Sequence, residues 1–192
     1  MSIKKEFRSK LRSSLADVTP EERHDLSVAA TKLLVAQREF IKAQVVMLFL
    51  STAQEVDTNM IALRSWADHK RVLAPKVSWE QRRMIPVEIS SLDSDIQTGT
   101  MGIREPVDGL PFPVGDIDLI IVPGLGFDAR GNRLGRGRGF YDRFLSHRDL
   151  HAVTCGLALE PQFVGTVPHD DTDVKVNMLV TDQNVRRFKP SS

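Results

Sequence analysis

Ile117-Asp118-Leu119-Ile120-Ile121-Val122-Pro123-Gly124-Leu125-Gly126-Phe127-Asp128, then Gly131-Asn132-Arg133-Leu134-Gly135-Arg136-Gly137-Arg138-Gly139-Phe140-Tyr141-Asp142-Arg143, carry the strongest pattern in this chain. The apolar run up to Val122 has the length and composition of a buried strand. Phe140, Phe144 and Leu145 then fall at helical spacing, which predicts a helix over Phe140–Leu150. Strand, glycine-rich loop and helix start together present backbone N–H groups to an anion, and the interleaved arginines add fixed positive charge. The loop therefore reads as a phosphate cradle. It does not fit the dinucleotide fingerprint, because the third glycine of G-x-G-x-x-G falls on Phe140 or Asp142. No Gly-Lys-Ser or Gly-Lys-Thr tripeptide is present, so it is not a Walker loop either. A solvated structural turn and an RGG-like nucleic-acid segment remain open at this point, the latter against the placement between a strand and a helix.

Working outward, Ile3, Phe7, Leu11 and Leu15 recur every four residues and predict an amphipathic first helix. Thr19-Pro20-Glu21-Glu22 has the cap, proline and early carboxylates of a second start, with a helix running to about Glu39. Val45–Leu50 reads as a strand, and Asp57 or Thr58 can cap a helix over Met60–His69. Arg71–Ala74, Met84–Ile89, Ala152–Leu159 and Met178–Thr181 are further strands. Ser90–Pro113, rich in Gly, Pro, Asp and Ser, reads as loop. Continuous apolar strands alternating with helices predict an α/β class: one domain over 1–192, with a mostly parallel sheet and helices on both faces.

The bulk properties narrow the partners. The 192 residues are 41% hydrophobic and 27% charged, with a formal net charge of +1, which gives no general affinity for polyanions such as nucleic acid. The single cysteine, Cys155, excludes an internal disulfide and a cysteine zinc site, and its apolar surroundings suit a buried structural thiol. Of the five histidines only His147 and His151 are four apart, and their place around Arg148 and Asp149 near an expected helix end suits surface positions rather than a metal pair. No apolar run approaches the ~20 residues of a membrane span and the N-terminus lacks a signal-peptide core, so a cytoplasmic protein without membrane attachment is expected.

The run Pro123–Asp128 with Gly131–Gly137 closely resembles the signature of the 5-formyltetrahydrofolate cyclo-ligase (5,10-methenyltetrahydrofolate synthetase) family, and of its eukaryotic members most. Four further segments resemble the same family in the same order. They are Lys4…Arg8, Phe49-Leu50-Ser51…Glu55-Val56-Asp57-Thr58, Gly102-Ile103-Arg104-Glu105-Pro106, and Val167-Pro168…Asp173-Val174-Lys175-Val176. The resemblance implies a fold related to sugar-phosphate isomerases and CoA-transferases. It implies that ATP and 5-formyltetrahydrofolate are converted to 5,10-methenyltetrahydrofolate, ADP and phosphate, with Mg²⁺.

It also implies roles. Lys4, Arg8 and the loop Arg133, Leu134, Gly135, Arg136, Gly137, Arg138, Gly139, Phe140 and Tyr141 would bind ATP. Arg133, Arg136 and Arg138 would meet the γ-phosphate and the transition state; Leu50, Glu55 and Arg136 to Phe140 would face the folate; Asp142 and Asp173 would hold Mg²⁺. On residue chemistry alone, Lys4 and Arg8 are merely one face of a helix, and Tyr141 serves packing as well as stacking. Relative to common family forms, Arg138 replaces glycine or lysine, Phe140 a tyrosine, Met101 a tryptophan and Asn177 an aspartate. Small-molecule partners, a monomer and no nucleic acid are expected. A different enzyme on a related fold, or a non-catalytic folate or nucleotide binder, are the alternatives.

Overall fold

Phosphate-loop geometry depends on where the strands end, and the strands here are short. A computed structural model describes residues 2–188. It contains strands β1 (Val45–Met47), β2 (Arg71–Ser78), β3 (Arg83–Ile89), β4 (Ile96–Thr98), β5 (Arg104–Pro106), β6 (Leu119–Val122), β7 (Gly126–Phe127), β8 (Arg133–Leu134), β9 (Val153–Leu157), β10 (Met178–Val180) and β11 (Val185–Arg187). The helices are α1 (Ile3–Ser14), α2 (Pro20–Val35), α3 (Arg38–Lys42), α4 (Asn59–Ala67) and α5 (Phe140–Leu145).

The main sheet runs β11-β10-β9-β6-β1-β2-β3. Its five inner strands pair in parallel, and β3 and β11 close the two edges antiparallel. From β1 the chain winds outward to β2 and β3, then returns to β6 on the other side of β1 and winds outward again. The direction of winding therefore reverses between β1 and β6. In open α/β sheets the crevice beyond the carboxyl ends of such a strand pair is where ligands bind.

Both faces of the sheet are covered, unequally. On one, Ala30 and Leu34 of α2, Phe40 of α3 and Ile61 of α4 pack with Val46, Val72, Ile121 and Cys155. On the other, Phe144 and Leu145 of α5 join Phe127 and Val176 over Met47, Ile120, Val122 and Leu179. Helix α1 packs elsewhere. Its Leu11 joins Leu125 and Leu134 at the small β7–β8 hairpin, and Val167 of a later loop. A Cβ on Gly126 would stand 2.7 Å from a Leu11 methyl, so this glycine permits the close approach.

Five local expectations differ from the structure. The strand expected over Val45–Leu50 is regular only over Val45–Met47. The second helix stops at Val35 because Gln37 is extended, and its side-chain amide donates back to the Leu33 carbonyl at 2.6 Å. Helix α5 ends at Leu145 rather than Leu150. Ser90–Pro113 is not featureless: β4 and β5 form an antiparallel hairpin within it. Strand β2 passes Ala74 and runs through Pro75 to Ser78. Pro75 is tolerated because β1 pairs with β2 only as far as Leu73, and nothing on that side calls for its missing N–H.

Candidate active site

Residues scattered through the sequence meet in one cavity of about 810 Å³ beyond the carboxyl ends of β1, β2 and β6. Lys4 and Arg8 enter from α1, Leu50, Thr52 and Glu55 from the segment after β1, and Pro75, Val77, Trp79 and Met84 from the β2–β3 arm. Arg133 through Asp142 form one wall and Asp170 through Val174 another. Every residue that the sequence reading singled out for ATP, folate or metal lines this space. The Met101 side chain, in the region of the expected tryptophan, lies outside the described residues. Asn177 is elsewhere: its Oδ1 accepts from the backbone N–H and hydroxyl of Thr154, tying β9 to the start of β10.

Local sequence explains the shape of the loop. Asp128 is buried, and its two oxygens accept from the backbone N–H groups of Arg130, Asn132 and Val167 and from the Asn132 side chain. Burial alone would raise its pKa, but these four donors outweigh burial and hold it below the usual carboxylate value. This knot folds β7 against β8 and delivers Arg133 to the cavity floor. Gly137 sits at φ +102 and Gly139 at φ +68, where side chains are strained. A Cβ on Gly137 would come within 3.2 Å of the Arg8 guanidinium, so the absence of a side chain brings α1 close to the loop.

The charges are arranged in pairs. The Arg133 guanidinium, 3% exposed, donates to Asp142 Oδ1 at 2.7 Å and to the Pro123 carbonyl at 3.2 Å. Arg136 reaches Glu55 Oε1 at 2.9 Å and the Thr52 hydroxyl at 3.2 Å. Lys4 donates to Asp170 at 2.7 Å and to Asp173. Burial opposes the Lys4 charge, but hydrogen bonds to the two carboxylates prevail and raise its pKa, while Lys4 and Thr172 hold Asp170 low. Arg8 donates to the Gly135 carbonyl at 2.9 Å. The Arg138 guanidinium stands 5.6 Å from the centre of the Trp79 ring, and Trp79 meets Phe140 edge-on at 5.3 Å. The Tyr141 ring is partly exposed to the cavity, but its hydroxyl is buried, which drives its pKa strongly up, and that hydroxyl finds no partner among the described residues. It serves as a neutral wall beneath Arg133, 5.7 Å away.

Since α5 has only six residues, positive charge in the cavity comes from side chains and loop amides rather than from a long helix dipole. Among the described residues no group of three or more His, Cys, Asp or Glu could hold a metal. Asp142 and Asp173 nevertheless suit Mg²⁺, which is commonly held by one or two carboxylates plus substrate phosphates and water. They stand where the two walls meet, because the Val174 N–H next to Asp173 donates to Asp142 Oδ1 at 3.3 Å. Their ion pairs engage Oδ1 of Asp142 and Oδ2 of Asp173, one oxygen of each.

Sequence reading missed the apolar side of the cavity, formed by Val77, Trp79 and Met84, and it missed Arg104. The first depends on β2 continuing past Pro75, where the apolar run that flagged the strand breaks off. The only signal for Arg104 was its place in a family-like segment.

A model of the 5-formyltetrahydrofolate cyclo-ligase family matches residues 1–182. The mouse 5-formyltetrahydrofolate cyclo-ligase is 30% identical over 193 residues, covering 95% of each chain. The mitochondrial 5-formyltetrahydrofolate cyclo-ligase of Arabidopsis thaliana is 31% identical over 214 residues, covering 97% of this chain and 76% of its own. The NMR structure of Aquifex aeolicus 5,10-methenyltetrahydrofolate synthetase superposes with a TM-score of 0.85 at 33% identity, covering 100% of this chain and 95% of that one.

Proposed function

The chain belongs to the 5-formyltetrahydrofolate cyclo-ligase family, and from that premise we propose that its cavity carries out the ATP-dependent closure of 5-formyltetrahydrofolate to 5,10-methenyltetrahydrofolate. One observation carries the proposal: Lys4, Arg8, Glu55, the arginine loop and Asp173, remote in sequence, line a single cavity at the strand reversal. The chemistry needs such a set. A formyl oxygen bound to carbon is a poor leaving group. When it attacks the γ-phosphorus, ADP departs and the oxygen becomes part of a phosphate ester. The N10 lone pair then adds to the formyl carbon, phosphate leaves with that oxygen, and N10 gives up its proton.

Phosphoryl transfer asks the protein chiefly for positioning and charge neutralisation. Arg133, Arg136 and Arg138 neutralise the transferring phosphoryl group, and Lys4, Arg8 and the loop from Arg133 to Tyr141 hold the triphosphate. Glu55 accepts from the amino-amide edge of the pterin, Leu50 packs on that ring, and Arg136 to Phe140 face the folate. Asp142 and Asp173 would hold Mg²⁺, which would neutralise phosphate charge. Neither a nucleophilic serine nor a thiol is required, in keeping with Cys155, whose burial pushes its pKa up to about 12. The domain extends over 1–192 and acts as a cytoplasmic monomer on small molecules alone. Among the described residues no helix is long and apolar enough to cross a membrane.

The test is direct. Purified protein is mixed with 5-formyltetrahydrofolate, ATP and Mg²⁺, and methenyl product is followed by absorbance. ATP-dependent product is expected; none, or an equal amount without ATP, would refute the assignment.

A further inference from the structure

Arg104 lies on β5, in a hairpin outside the main sheet, yet it lines the cavity beside Thr52 and Glu55. Its Nη2 donates to the Ser51 carbonyl at 3.1 Å and to Asn59 Oδ1 at 3.3 Å, joining the hairpin to the segment after β1 and to the start of α4. The Ser51 carbonyl shares a peptide plane with the Thr52 N–H, and that N–H donates to Glu55 Oε2 at 2.9 Å. The Thr52 hydroxyl donates to the same oxygen at 3.0 Å. A peptide unit is rigid, so fixing its carbonyl fixes the direction of its N–H. A cation on the carbonyl also polarises the unit and strengthens the N–H as a donor.

We propose that Arg104 is a positioning residue for Glu55. Acting through the Ser51–Thr52 peptide, it holds one carboxylate oxygen so that the other, Oε1, faces the cavity and Arg136. The proposal rests on the reading of Glu55 as the acceptor for the folate's amino-amide edge. The rest of this segment is held without Arg104: the Thr58 hydroxyl donates to the Phe49 carbonyl, Asp57 Oδ1 accepts from the Asn59 N–H and the Ser51 hydroxyl, and α2 supplies the Arg23 guanidinium to the Gln54 carbonyl and the Ser27 hydroxyl oxygen to the Asp57 N–H. Arg104 therefore does not build the segment; it sets the orientation of one peptide within it. Its own contacts are with backbone and Asn59, away from the phosphate loop, so its influence falls on folate rather than on ATP.

The experiment measures the dissociation constant of 5-formyltetrahydrofolate by calorimetry, without ATP, together with KM for both substrates. Arg104→Gln should weaken folate binding about tenfold while the KM for ATP stays within about twofold, as expected for loss of a charged hydrogen bond that serves one subsite. Arg104→Lys, which restores a donor to a single carbonyl, should recover most of that loss. In an E55Q background, R104Q should change folate binding by less than about twofold, because a residue acting through Glu55 has no effect once the carboxylate is gone. Equal weakening of both substrates, unchanged folate binding, or the same loss in the E55Q background would each overturn the proposal. Should R104Q not fold, Asn59→Ala removes the second anchor of Arg104, and it should weaken folate binding about threefold; no change there would overturn the proposal too. If the wild-type protein forms no methenyl product, the cyclo-ligase assignment itself fails, a result separable from every one of these.

Discussion

Arg133 and Arg136 stand three residues apart in the same glycine-rich loop and look equivalent in sequence, but they differ in burial. The Arg133 side chain is almost wholly out of water and is compensated by Asp142, whereas Arg136 is 44% exposed and reaches across the cavity to Glu55. Removing one partner of a buried pair leaves an uncompensated charge, so Asp142→Ala should lower the unfolding free energy by about 3 kcal/mol, read from urea denaturation. An unchanged midpoint would show that Arg133 finds another counter-charge. Exposed pairs contribute little, so Arg136→Ala should cost less than about 1 kcal/mol in stability. The same change should lower kcat by at least about a hundredfold, through loss of charge stabilisation on the phosphoryl group. Near-normal turnover in R136A would mean that the loop is wrongly assigned. The glycine-rich motif and the family resemblance identified both arginines as candidate ligands; nothing in them separated a buried floor residue from an exposed one, because burial is fixed by the β7–β8 hairpin and by α1.

At the scale of elements, legibility followed how local the determining interactions are. The α2 start is written in four residues: the Thr19 hydroxyl accepts from the Glu22 N–H, and the Glu22 carboxylate accepts from the Thr19 N–H. This box lies away from the cavity. Thr19→Ala should cost about 1 kcal/mol in stability and leave kcat unchanged, which thermal melts and steady-state kinetics check together. A fall in turnover at constant folded fraction would contradict that separation. By contrast, the β2–β3 arm and the β4–β5 hairpin were read short or not at all. Their pairing partners are distant, their strands contain prolines and polar residues, and strand propensity depends on the neighbours a strand acquires. These elements carry Val77, Trp79, Met84 and Arg104 to the cavity, so the site's apolar wall and the clamp on the Glu55 segment were hidden with them.

For the whole molecule, stability is tied to carboxylates distributed over the surface and one within it. Arg187, Arg71 and Arg186 hold Glu39, Glu88 and Glu160 below their usual pKa, and four hydrogen bonds do the same for buried Asp128 against its desolvation. A carboxyl held low in the folded chain takes up its proton first in the unfolded chain. Its contribution is present above the ordinary carboxylate value and is lost as pH falls through the lower folded value. Denaturant midpoints should therefore drop as pH falls below about 4. Asp128→Asn should flatten that dependence and also lower stability at neutral pH. A wild-type midpoint independent of pH between about 5 and 2 would refute this. The sequence alone determined the α/β class, the phosphate-loop character of Gly124–Asp142, and the family-like segments from which Lys4, Arg8, Glu55 and Asp173 were drawn. The first two rest on short-range spacing, apolar periodicity and the conformational freedom of glycine, and the last on resemblance to the family's motifs. Only the tertiary structure decided that β1 and β6 flank the reversal of winding, that α1 docks on the β7–β8 hairpin, and that Lys4, Arg133 and Arg136 each face particular carboxylates. Such pairings depend on strand order and side-chain burial, which arise from contacts between residues far apart in the chain and leave no periodic trace in it.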